Sequence, residues 1–595
     1  MPRARWLLAA AAAAGVSVAV IAQEAPQSIL PPGFGEQPAP APANSSETSA
    51  PARQPVSSAP RGEISRAVES ALSELSPEEQ AALLEPPPQI ELPSGSERDA
   101  ALAGAVPPSA SGFGEGMWGT ASGKYLSRLL RSTRAPLASR WGHILVRNAL
   151  LTAARAPADV HPADWAAERA WMLLRMGEAD AARMLVSAVD VDDFSPKMFQ
   201  VAAQSALANA DPAGLCPLRD GLERVERKMM PLVQAMCASL SGSSEVAASD
   251  IEAARRRGRF EQIDLVLADK VVGAGAESAR SVTVEWEPVQ QLNIWRFGLA
   301  TATGMVPPER LVKGLSPHVL AWQARSAMLS PEARLAAARV ATGLGVFSSQ
   351  ALVDVYAQIY DSTDPSDLGE TDAWQLRLAM VGRDQSERVA AMRRLLDKAK
   401  SPLEKEATRA ALARAATRVA PDSELQDIAP DLIAAMLSAG YDRAALRWME
   451  AVGDMDDGPQ SRSWAMLALA GTDQPLDGGM LGDFISDDDS AGKQRSALLV
   501  AGLAGLGRIS LEEASRLNRR HDFGLTRSNV WTRNIDGASQ RGQAGTVAVL
   551  AAVGLQAADY NSVPALHLYH LVTALNRNGQ GFAARMIAAE ALART

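Results

Sequence analysis

Polar and apolar positions follow a helical period most clearly over residues 165–192, and that stretch sets the expectation for much of the chain. In its second half Asp180, Arg183, Ser187 and Asp190 fall at i, i+3, i+7 and i+10, with Ala182, Leu185, Val186 and Val189 as the complementary apolar stripe. In its first half Ala166, Ala170, Leu173 and Leu174 form an apolar face, while Asp164, Glu168, Trp171 and Arg175 share the opposite stripe. Gly177 separates the two, and glycine is the residue that takes the positive φ of a helix-ending reversal without a steric cost. The pattern predicts two antiparallel helices, with Ala181 and Ala182 small enough for close approach after the turn. Trp171 with Glu168 and Arg175 is the candidate binding face, since an aromatic lies there among charges.

The turn returns along the chain. Gly440-Tyr-Asp-Arg-Ala444-Ala445 and Gly579-Gln-Gly-Phe-Ala583-Ala584 repeat the glycine and the alanine five residues on, and Gly258 repeats it with Ile263 in place of alanine. Glycine, often an acidic residue, then alanine at the fifth position resembles the turn of tetratricopeptide (TPR) units. Gly177 with Ala182, Gly440 with Ala445, and Gly579 with Ala584 hold the matching positions. The resemblance implies an all-α fold, an α-solenoid of antiparallel helical hairpins, although no regular period of about 34 residues is visible. Prolines and hydroxyl residues mark further starts at Ser330-Pro331-Glu332, Ser348-Ser349 and Ser401-Pro402-Leu403-Glu404. Ser281–Glu287 alternates like a strand but has no partner run, so an extended connector is expected.

The amino-terminal region reads differently. Arg3 and Arg5, the apolar run Leu7–Ile21 and the small-residue site at Ala22 resemble a secretory signal peptide over residues 1–22. About 15 apolar residues fall short of the roughly 20 that span a bilayer, so cleavage after Ala22 and export to a periplasm are expected, with no membrane span in the mature chain. Nine prolines between residues 23 and 62 predict a disordered linker. A short helical segment (63–85) and a second linker (86–117) follow. The tetrapeptide Gly-Phe-Gly-Glu occurs in both linkers, at 33–36 and 112–115, as a candidate docking anchor. The helical repeat region is expected over 118–472, a polar loop over 473–492, and C-terminal hairpins over 493–595.

Composition narrows the functional classes. A net charge of −9 in 595 residues argues against nucleic-acid binding, which needs many cationic phosphate contacts. In an exported chain the two cysteines, Cys216 and Cys237, predict a disulfide rather than a nucleophile or metal site. No HExxH, P-loop, GxSxG or CxxC appears. Ser490-Ala-Gly-Lys493 has the SxxK spacing but no downstream Lys-Thr-Gly. The aspartate clusters at 190–193, 454–457 and 487–489 fail the EF-hand spacing and read as turns, and His567 with His570 lacks an obvious third ligand. No catalytic residue, metal or cofactor is expected. The reading is therefore an exported, non-catalytic scaffold for other periplasmic or envelope proteins. The alternative is a peptidoglycan hydrolase with a helical superstructure.

Overall fold

The structure, a computed structural model, describes residues 97–595 apart from 277–282, 314 and 473. The expected signal peptide, the first linker, the segment 63–85 and the first Gly-Phe-Gly-Glu copy lie outside the described residues. Residues Asp99–Thr595 belong to one compact unit, and among the described residues it is all helical, with a single isolated bridge between Val106 and Thr152.

Helices of seven residues or more are numbered in chain order. The first group is α1 (Gly123–Ser132), α2 (Arg140–Leu151), α3 (Pro162–Arg175), α4 (Ala179–Val186), α5 (Pro196–Ala208), α6 (Arg219–Val225), α7 (Met230–Leu240), α8 (Ser244–Arg257), α9 (Gln262–Gly275) and α10 (Ile294–Ala302). The middle group is α11 (Pro317–Ala324), α12 (Pro331–Leu344), α13 (Ser349–Ser362), α14 (Asp372–Val381), α15 (Gln385–Lys398), α16 (Pro402–Ala416) and α17 (Ala429–Ser438). The last is α18 (Asp457–Ala470), α19 (Gly478–Asp487), α20 (Gln494–Gly505), α21 (Leu511–His521), α22 (Val530–Gln540), α23 (Ala544–Gly554), α24 (Ala565–Arg577) and α25 (Gly581–Ala593).

The turn between α3 and α4 shows how the hairpins are made. Gly177 has φ +89°, its N–H bonds to the carbonyl of Leu174, and the N–H of Glu178 reaches back to Leu173. These paired bonds satisfy the carbonyls that a helix end leaves open. A Cβ on Gly177 would lie 2.9 Å from the Ala321 Cβ of α11, so the glycine also permits a close approach. The same bond pair and a positive φ recur at Gly440, and beyond the sequence-derived set at Gly242, Gly304, Gly507 and Gly542. Ala182, Ala445 and Ala584 are fully buried, as is Ala247, five residues after Gly242. Gly258 ends α8 with φ +60°, and Ile263 in the alanine's place is buried.

Three regions differ from the sequence-derived boundaries. The latter part of the 86–117 linker is packed: Ala103, Phe113 and Met117 are buried, and Arg169 of α3 donates to the Ala103 carbonyl. The expected polar loop 473–492 contains α19, because Leu481, Phe484 and Ile485 bury one face and Asp477 caps its first turn. Residues 283–286 carry no strand or helix, in keeping with a connector.

The hairpins stack on their sequence neighbours, as α3 on α4, α7 on α8, and α16 on α17, but the two ends of the compact unit also meet. Helix α2 packs against α23 and α25, and α1 against α23. Ala138 N–H bonds to the Leu555 carbonyl and Gly545 N–H to that of Met117. Glu590 of α25 is the centre of this closure. Its carboxylate accepts from Arg140 N–H (2.7 Å), Trp141 N–H (3.1 Å) and the Ser139 hydroxyl (2.6 Å), which places an anion on the N-terminus of α2. Arg140, 4% exposed, donates from its guanidinium to the carbonyls of Thr342, Ser438 and Phe347. One residue thereby joins α2 to the C-terminal ends of α12 and α17.

Candidate functional site

The polar stripe of α3 is turned largely inward. Glu168 is 2% exposed and is held by Arg131 of α1 and by Lys197 of α5 at 2.6 Å. Asp164 accepts from the Ser195 hydroxyl at 2.6 Å. Arg175 donates to the Thr133 and Leu130 carbonyls at the end of α1, and burial pulls its guanidinium down to about 10. The charges therefore join α1, α3 and α5. Trp171 is partly buried and packs against the core.

Cys216 and Cys237 form a disulfide. It joins the helical turn Pro212–Leu218 to α7. Among the described residues no group of three or more His, Cys, Asp or Glu is placed to hold a metal ion. His570 pairs with Asp536 at 2.8 Å, while His567 lies against Trp531 with ring centroids 4.4 Å apart. Ser490 donates its hydroxyl to Asp488, and Lys493 donates to the Ile485 carbonyl at 2.6 Å, so the two are not paired as an acyl-transfer dyad.

The candidate site is a cleft of about 1100 Å³. The first turns of α16, α17, α18 and α20 open onto it, as do the ends of α15, α19 and α25. Converging helix N-termini would make an anion trap, but each has its own carboxylate. Glu404 accepts from the backbone of Ser401 and Lys400. Asp431 pairs with Arg409 at 2.8 Å. Asp488 accepts the Ser496 N–H at 2.8 Å, and Asp457 lies in the first turn of α18. Burial pushes the Asp488 carboxyl up, while the Ser490 and Ser496 hydrogen bonds outweigh it and hold the group below the usual carboxylate range.

What remains available is a mixed set. Lys405, Arg462, Asp457 and Asp487 line the cleft, are exposed, and have no ion-pair or hydrogen-bond partner among the described residues. Behind Lys405, on the same helix, Glu406 is 3% exposed. Burial raises its carboxyl and nearby Glu590 adds to this, against Arg594, Arg409 and Arg140. Sequence reasoning had no means to find the cleft: its walls come from seven helices. The aspartates at 487–489 were visible only as turn formers. No family model, curated protein or solved structure matches the chain.

Proposed function

We propose that the chain is an exported, non-catalytic helical-repeat scaffold, TPR-like in its turns, that binds a segment of another envelope protein in the cleft bounded by α16, α18 and α19. The observation that carries this is the set of unpaired, exposed charges of both signs along one cleft, Lys405 and Arg462 with Asp457 and Asp487. Opposed charges fix the register and orientation of a bound polar segment more than they raise its affinity. The disulfide supports an oxidising compartment, and among the described residues no helix is long and apolar enough to cross a membrane.

The test is site-specific photocrosslinking from position 461, where Ser461 lines the cleft, in envelope extracts, repeated in Lys405→Glu/Arg462→Glu and Asp457→Lys/Asp487→Lys backgrounds. The scaffold reading requires one reproducible adduct that both charge reversals weaken. Adducts insensitive to both reversals would refute it. A peptidoglycan hydrolase is the second reading, with Glu406, whose carboxyl burial raises, as its candidate general acid, although Glu406 itself is buried and does not line the cleft. Release of soluble muropeptides by the wild type but not by Glu406→Gln would decide for the enzyme.

A further inference from the structure

Along α16, Glu404, Ala407, Thr408, Ala411 and Leu412 fall on one face at helical spacing, and the helix packs against α12, α13, α14 and α15. The two alanines are too short to fill the space between these helices, and a cavity of about 60 Å³ is left there. It shares only Ala399 with the lining of the cleft. One water needs about 10–15 Å³ on this measure, so the space suits a molecule of a few heavy atoms.

The lining carries charges of both signs together with the apolar Leu352, Leu376 and Leu412. Asp372, in the first turn of α14, accepts from Arg339 of α12 at 2.5 Å and from Lys398 of α15 at 2.6 Å. Burial pushes the Asp372 carboxyl up, but the two cations outweigh it and hold the group below the usual carboxylate range. Arg339 also donates from Nε to the Tyr356 hydroxyl at 2.9 Å. Glu404 uses one oxygen to accept the Ser401 and Lys400 N–H groups at the start of α16, and these bonds keep its carboxyl low. Capacity is left over. Lys398 retains two N–H donors, and among the described residues Arg339 Nη1 and Glu404 Oε1 have no hydrogen-bond partner, while the Tyr356 hydroxyl donates to none. The Arg339 and Lys398 side chains are 34% and 58% exposed, so their donors are within reach of a ligand.

We infer that this cavity is a binding site for a small zwitterion, an α-amino acid of the size of glycine or alanine. Its carboxylate meets Lys398 and Arg339, its ammonium meets Glu404 Oε1, and its methyl lies against Ala407 and Ala411. A lone anion would face Asp372 and Glu404, and a lone cation would face Arg339 and Lys398. A ligand that carries both charges finds a partner at each end.

Calorimetric titration of the full chain with L-alanine tests the assignment, with propionate and ethylamine as the same body lacking one charge. Alanine is expected to bind saturably and about tenfold more tightly than either, since each forgoes one set of charge-assisted hydrogen bonds. Lys398→Gln and Glu404→Gln should each weaken alanine about tenfold; the amide oxygen of the second can still accept from Ser401 and Lys400, so α16 keeps its start. Ala411→Leu fills the space and should abolish binding, and the two substitutions at exposed positions carry the test should it fail to fold. Heat linear in alanine, equally tight binding of propionate or ethylamine, or an alanine affinity unchanged by both Lys398→Gln and Glu404→Gln would overturn the assignment.

Discussion

Removing the Glu590 carboxylate tests whether the closure between the ends of the compact unit is a principal source of stability. In Glu590→Ala, the N-terminus of α2 loses the acceptor of two backbone N–H groups and the Ser139 hydroxyl loses its partner. Loss of a helix cap costs about 1 kcal/mol. Arg594, 13% exposed at its side chain, loses its partner at 2.8 Å, and breaking a buried ion pair from one side costs about 3–5 kcal/mol. Tyr560, whose hydroxyl lies 3.3 Å from the same carboxylate, is also left in an altered site. The expected destabilisation is therefore about 4–6 kcal/mol, read as a lower urea midpoint by circular dichroism. Adding Arg594→Met should recover part of it, because the unpaired cation is removed. A loss below about 1 kcal/mol, or no coupling between the two substitutions, would refute the argument.

Three further outcomes follow from named residues. Reducing Cys216–Cys237, which closes 21 residues of sequence separation, should cost roughly 3 kcal/mol on the chain-entropy account; mass spectrometry should find no alkylatable thiol before reductant and two after. Gly177→Ala places a Cβ at φ +89° and 2.9 Å from Ala321 and should cost about 1–3 kcal/mol in thermal or urea unfolding. Burial, with Arg175 adding to it, lowers the His318 imidazole from 6.5 to about 4. The unfolded chain then takes the proton first on acidification. The His318 contribution is complete above pH 6.5 and is lost as pH falls through 4, worth about 3 kcal/mol in all. His318→Gln should flatten that limb of the stability curve.

The hairpin turns were legible because their cause is local. A glycine that ends a helix in the left-handed region needs no distant residue to explain it, and Gly177 and Gly440 both do this. The motif was read too narrowly, however. Position five after the glycine is buried at Ala182, Ala247, Ala445, Val547 and Ala584, although it is exposed at Glu309 and Glu512 after Gly304 and Gly507, while position four is partly exposed at Ala444 and Ala583 and exposed at Val246. Requiring alanine at both hid Gly242, whose Ala247 is buried. Helix α19 was missed because Gly478, Gly479 and Gly482 lower helical propensity, and tertiary burial of Leu481, Phe484 and Ile485 overrides it. Glu590 and Arg594 were visible as an i, i+4 pair on a poorly amphipathic helix. That the pair also holds residues 139–141 depends on an approach between segments about 450 residues apart, which no local pattern encodes.

That approach bears on how the protein reaches its folded state. A linear stack of repeats grows by adding neighbours, so each hairpin is stabilised soon after it forms. Here the anion that caps α2 sits 450 residues downstream of Arg140. Closing a flexible loop of that length costs on the order of 5 kcal/mol in chain entropy, which assembly of the intervening hairpins must first reduce. The expected order is late docking of α25 onto a nearly complete stack, with α2 exchanging its amide protons until then. A chain ending before Glu590 should keep its interior hairpins protected from exchange and lose protection selectively around residues 139–151.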